Sequence, residues 1–91
     1  MGLKSTTVCL GYQQITNVSS SVGLTVPQGT TLALIVPETQ AVRWRDDGIA
    51  PSATVGMPIA VGAYFSYDGD LNRIRFFEQI AGAVLNISYY A

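Results

Sequence analysis

Apolar and polar positions alternate in short runs along this chain, and turn-forming residues separate the runs. Gln40 to Gly48 shows the pattern most sharply: Val42 and Trp44 fall on one side, Arg43 and Arg45 on the other, and Asp46-Asp47-Gly48 ends the run. Successive side chains of a strand point to opposite faces, and Asp and Gly accept the backbone angles of tight turns. Asn72 to Glu78 repeats the arrangement, with Ile74 and Phe76 turned inward and Arg73 and Arg75 outward. Ser5–Leu10 reads as a first strand stopped by Gly11, and Tyr12–Val18 as a more polar second one before the serine loop Ser19–Ser21. Val22, Leu24 and Val26 share a face up to the turn Pro27-Gln28-Gly29. Leu32, Leu34 and Val36 share the next, with Ala33 and Ile35 also apolar, so this strand is expected to be covered on both sides.

After a loop, Met57, Ile59 and Val61 form a one-sided run in which Pro58 demands an edge position or a strand start. Tyr64–Tyr67 is aromatic, Asp68-Gly69-Asp70 is a turn, and Ala83, Leu85, Ile87 and Tyr89 line up on one side of the last run. About seven to nine short strands, with breaks every ~8–12 residues and no helical period, predict an all-β fold. The expected architecture is a small single-domain β-sandwich or jelly roll over residues 1–91. Residues 1–21, more weakly patterned, would be an edge strand or an N-terminal arm. Val42, Trp44, Ile74, Phe76, Leu85 and Ile87 are the predicted core anchors.

Composition sharpens this picture in one respect. Charged residues make up 12% of the chain and the net charge is −1, against about 25% charged residues in an ordinary soluble domain. Near-neutral surfaces favour association, so much of this surface is expected to lie inside an assembly. The apolar runs are far shorter than the ~20 residues that cross a bilayer, and Met1–Lys4 leads into polar Ser5-Thr6-Thr7 rather than into a secretory core. Cys9 is the single cysteine, expected as a small buried hydrophobe.

Catalytic chemistry finds few candidates. The chain has no histidine, which removes the commonest general base and metal ligand. No Gly-x-Ser-x-Gly elbow or glycine-rich phosphate loop occurs, and Asp46, Asp47, Asp68 and Asp70 sit where turns use Asp for local backbone bonds. A non-enzymatic protein without cofactor, metal or small-molecule substrate is expected. Arg43, Arg45, Arg73 and Arg75 admit three readings. Contact with acidic groups of a partner protein comes first, a cross-strand ladder with the chain's own acids second, and nucleic acid last, because no basic excess exists. Trp44 reads as a core anchor rather than a binding platform, and Tyr90 as an outward interface aromatic.

Several runs together resemble a known group. Val26-Pro27-x-Gly29-Thr30, Gln40–Gly48, Ala50-Pro51-Ser52-Ala53, Val55-Gly56-Met57, Gly69-Asp70-Leu71, Arg75-Phe76 and Ala83–Tyr90 are similar to stretches of short virion proteins of tailed bacteriophages, over about two thirds of the chain. The resemblance implies a small β-sandwich that decorates or cements the head. Its partners would be the major capsid protein and further copies of itself, in a homo-oligomer such as a trimer, on a particle assembled in the bacterial cytoplasm. The same chemistry leaves an alternative from another class: a tail-fibre, spike or baseplate module holding host-surface carbohydrate through Tyr64, Tyr67 or Trp44 beside the turn carboxylates.

Overall fold

The alternating runs pair into two antiparallel sheets. A computed structural model describes residues 7–91, in which seven strands form. They are β1 (Cys9–Ile15), β2 (Leu32–Glu38), β3 (Val42–Arg45), β4 (Met57–Ile59), β5 (Phe65–Tyr67), β6 (Arg75–Glu78) and β7 (Val84–Tyr90). The first sheet has the order β1-β7-β2-β5 and the second β4-β3-β6. Four of the six connections pass from one sheet to the other, so the chain builds a β-sandwich rather than a run of hairpins.

Register explains the core. Ala33 and Ile35 of β2 face the same side as Leu85, Ile87 and Tyr89 of β7, and all of these are buried. Opposite them lie Val42 of β3, Ile59 of β4 and Phe76 of β6, together with Ile74 and Leu71 from the turn before β6. Each Val, Leu, Ile or Phe side chain among them, removed from water, stabilises the fold by about 1.5–3 kcal/mol. Val42, Ile74, Phe76, Leu85 and Ile87 are all 0% exposed. Glu78 is buried as well, and one of its carboxylate oxygens accepts the backbone N–H groups of Gly82 and Ala83, closing the turn into β7. Thr39 holds a second inter-sheet turn, between β2 and β3, nearby. It adopts φ 70°, a region β-branched residues rarely enter, and its hydroxyl donates to the carbonyl of Gly82.

The structure departs from the sequence pattern in several places. Gly11 does not end a strand: β1 runs through it, and the pairing with β7 shifts register between Cys9 and Gly11. A bulge of this kind reverses the alternation on one side of it, which is why Cys9 is exposed instead of buried. The residues Ser5 and Thr6 of the first predicted strand lie outside the described residues. Val22, Leu24 and Val26 are not a strand. Only Val22 pairs, in a two-bond bridge with Phe76, while Leu24 and Val26 pack half-buried against the core. This segment leaves the edge of β6 and turns to β1, where Gln13 accepts from the backbone N–H of Thr25.

Met57 and Val61 are each more than half exposed, so that run contributes only Ile59 to the core; Pro58 does sit on an edge strand. Leu32, Leu34 and Val36 are half-buried on the outer side of β2 rather than fully covered. Arg73 and Ile74 precede β6, in a turn where the Asp70 carbonyl accepts from both of their N–H groups.

Candidate functional site

The two Arg-x-Arg segments are neighbours in space: β3 and β6 pair directly, with Arg45 opposite Arg75 and Arg43 opposite Phe77. Like charges facing each other across a ladder destabilise it unless each finds its own partner. The chain supplies those partners mostly as backbone carbonyls. Arg43 donates from Nε to the carbonyl of Ala53 and from Nη1 to that of Gly56, at 3.2 and 2.8 Å, and so folds the 49–56 loop back over β3. Arg73 donates to the carbonyl of Asp47 at 3.1 Å, and Arg75 donates from Nη1 to the carbonyls of Asn72 and Ile74.

Among the described residues one ion pair forms, between Arg45 and Asp47. It is bidentate, Nε to Oδ1 at 3.1 Å and Nη2 to Oδ2 at 2.6 Å. The hydrogen bond from Arg45 lowers the Asp47 carboxyl to about 2, and the same bond raises Arg45. Both groups are open to solvent, where such pairs add little stability. The expected cross-strand ladder of arginines and acids is therefore absent: the one pair is local, two residues apart in the chain. Asp68, Asp70 and Asp46 take no arginine, and Asp46 instead accepts the hydroxyl of Tyr67 at 2.5 Å.

Two clefts flank this arginine face. One, of about 490 Å³, is lined by Trp44, Arg45, Asp46, Asp47, Gly56 and Met57. Trp44 is half-buried here rather than wholly inside the core. One side of its indole stacks on Phe65, with ring centroids 5.1 Å apart, and Tyr67 lies tilted beside it. Burial, with the hydrogen bond to Asp46 second, pushes the Tyr67 hydroxyl up to about 12. Tyr67 is therefore a buried buttress of the cleft, while Tyr64 is 82% exposed. The second cleft, of about 190 Å³, is lined by Ser21, Gly48, Ile49, Ala50, Arg73 and Arg75.

Sheet β1-β7-β2-β5 presents a different surface. Its outer side carries Leu32, Leu34, Val36, Val84 and Tyr90, all half-buried, and Tyr12, exposed at the edge. Tyr90 stands opposite Leu32 in the ladder. Asn86 links three strands across this side, accepting from Tyr12 and Gln14 and donating to Glu38. Glu38 is the one charged residue in these four strands. Alternation made Tyr90 visible in the sequence. The rest of this face needed the strand order, because β1 and β2 become near neighbours only through β7.

No group of three or more His, Cys, Asp or Glu side chains suited to a metal ion occurs among the described residues. No helix among them is long and apolar enough to cross a membrane. Compared with protein-family models, with curated proteins and with solved structures, the chain matches none.

Proposed function

We propose that this chain is a non-enzymatic structural protein of a phage virion, a decoration or cement subunit that binds the capsid through protein–protein contacts. The observation that supports this reading best is the outer side of the β1-β7-β2-β5 sheet. Four strands there carry a single charge, Glu38, and leave Leu32, Leu34, Val36, Val84, Tyr90 and Tyr12 partly open to solvent. Asn86, Ser88 and Ser66 stand among them, and such a mixed face of apolar residues and Tyr, with charge kept out of its middle, has the composition of protein interfaces. The sequence runs that resemble phage virion proteins point the same way. Among the arginines, Arg73 and Arg75 are the ones left for a partner, because Arg43 and Arg45 are engaged by the chain's own loop and by Asp47.

Mass spectrometry of separated heads and tails from particles of the encoding phage tests this proposal. Many copies per particle in the head fraction are expected. A few copies confined to tails would overturn it.

The Trp44 cleft favours a second reading, a carbohydrate-binding module of the tail. An indole backed by Phe65 with Asp46 and Asp47 beside it offers a stacking surface and hydrogen-bond acceptors together. Under that reading, Trp44 fluorescence shifts on addition of host-surface sugars; under the first it does not respond.

A further inference from the structure

We infer that the small cleft between Arg73 and Arg75 is a binding site for a single oxyanion, either a carboxylate or a phosphate-class group. Both guanidinium groups line it, and neither has a carboxylate within ion-pair distance among the described residues. The nearby acids are already engaged. Both oxygens of Asp47 accept from Arg45, Asp46 accepts from Tyr67, and Asp70 accepts from the backbone N–H of Asn72. A guanidinium has five N–H donors in a rigid fork. Arg73 uses one on the Asp47 carbonyl, and Arg75 uses only Nη1, so Nε and Nη2 of Arg75 and most donors of Arg73 have no acceptor among the described residues. Ser21, on the same wall, adds a hydroxyl that bonds to nothing else in the described chain.

The two forks are also oriented by carbonyls of the chain, Arg73 by Asp47 and Arg75 by Asn72 and Ile74. A Cβ at Gly48 would lie 2.6 Å from Arg73 Nη2, and one at Gly23 would lie 2.8 Å from Arg75 Nη1. Each guanidinium thus rests against a bare backbone where any larger residue would displace it. Donors fixed before binding lose less freedom when a ligand arrives, and paired guanidinium forks suit the planar or tetrahedral oxygens of an oxyanion. A cleft of about 190 Å³ admits one such group and no extended chain. With a net charge of −1 there is no basic track to hold a nucleic-acid backbone. The cleft stands whether or not the chain belongs to a capsid, so a positive titration beside a negative particle test would separate the two proposals.

Side-chain Nε–Hε NMR of the four arginines tests the site. The probes are sodium acetate, sodium phosphate and a blocked tripeptide, acetyl-Gly-Glu-Gly-amide, each at constant ionic strength against sodium chloride. The Arg73 and Arg75 signals are expected to move saturably with at least one oxyanion, while those of Arg43 and Arg45 stay in place. Arg73→Gln or Arg75→Gln should weaken the response by about tenfold. Ile49→Glu provides a variant that keeps both arginines. Ile49 is 58% exposed on the cleft wall, so a carboxylate there should fill the site, shift both arginine signals without any added anion and abolish the response. A tripeptide that outcompetes acetate would assign the site to a protein side chain, and equal responses would assign it to a free anion; either result upholds it. Movement no larger than chloride produces, equal movement of all four arginines, or a normal response in Ile49→Glu would overturn it.

Discussion

The two sheets of this protein are built on opposite terms. Strands β1, β2 and β7 are seven residues long and pair along nearly their whole length, with one charged side chain in the sheet they form with β5. Strands β3, β4 and β6 are three or four residues long and carry Arg43, Arg45, Arg75 and Glu78, with Arg73, Asp46 and Asp47 just beyond their ends. The long sheet holds its shape through backbone ladders and leaves outward a side of apolar and uncharged polar residues with one charge, Glu38. The short sheet has few ladder bonds, and side-chain bonds to loop carbonyls take over much of the stitching. Long regular strands need only alternation, whereas short ones need named partners. The difference also separates the proposed roles, with a broad docking side on one sheet and two small clefts on the other.

Truncating the core gives the largest expected effects and tests whether both sheets belong to one cooperative unit. Phe76→Ala, from the short sheet, should cost about 3–5 kcal/mol, and Ile87→Ala, from the long one, about 2–5 kcal/mol. Both side chains are 0% exposed. Urea unfolding followed by tryptophan fluorescence and by far-ultraviolet circular dichroism should show coincident transitions for each variant. Separate transitions would mean that the sheets unfold independently.

Two glycines sharpen the contrast at the level of about 1–3 kcal/mol. Gly48 has φ +84° and Gly62 has φ +78°, but a Cβ at Gly48 would strike Arg73 whereas one at Gly62 would meet nothing. Gly62→Ala therefore carries backbone strain alone. Gly48→Ala should lose about as much stability, because the atom it meets is the free end of the Arg73 side chain, but it alone should disturb the Arg73 NMR signal. An unchanged Arg73 signal would show that the guanidinium does not rest against Gly48.

Tyrosine titration compares two places in the long sheet at high pH, β7 in its middle and β5 at the edge that meets the Trp44 cleft. Burial pushes Tyr89, inside the long sheet, up to about 12, and burial together with Asp46 does the same to Tyr67 beside the Trp44 cleft. The folded values exceed the ordinary 10.0. Their contribution to stability is therefore complete below pH 10 and is lost as pH rises through about 12. Tyr67→Phe and Tyr89→Phe should each flatten the fall in stability over that window. Acid gives the smallest effect. Asp47 is held at about 2 against an ordinary 3.8, so its contribution is present above pH 3.8 and disappears as pH falls through about 2. Asp47→Asn should remove that part of the acid slope and, at neutral pH, lose only the small stability that an exposed ion pair contributes.

These contrasts also explain what the sequence disclosed. The last strand was legible because Ala83, Leu85, Ile87 and Tyr89 alternate without interruption and all four are buried. So were Val42 and Phe76, each next to an arginine that must face outward. Cys9 was misread because a bulge reverses side-chain parity, and a one-residue register shift leaves no mark in composition. Val22–Val26 was misread because alternation reports burial on one side, which Leu24 and Val26 do have, but not whether an adjacent edge is free to pair. The arginine partners were hidden for a simpler reason. Every residue carries a carbonyl, so nothing in the sequence says that Arg43 will close on Ala53 and Gly56, or that Arg73 and Arg75 will be left facing a common cleft.

The outer side of the long sheet carries the central claim, and Leu34 sits in its middle, opposite Ser88 of β7 and Ser66 of β5. Leu34→Glu adds one charge to a half-buried position that is not part of the core, so its unfolding midpoint should stay close to that of the unmodified chain. Co-sedimentation of the two proteins with capsids stripped of this subunit is the direct test. The account predicts that the unmodified chain sediments with the capsids and that folded Leu34→Glu does not. Equal binding of both would contradict it.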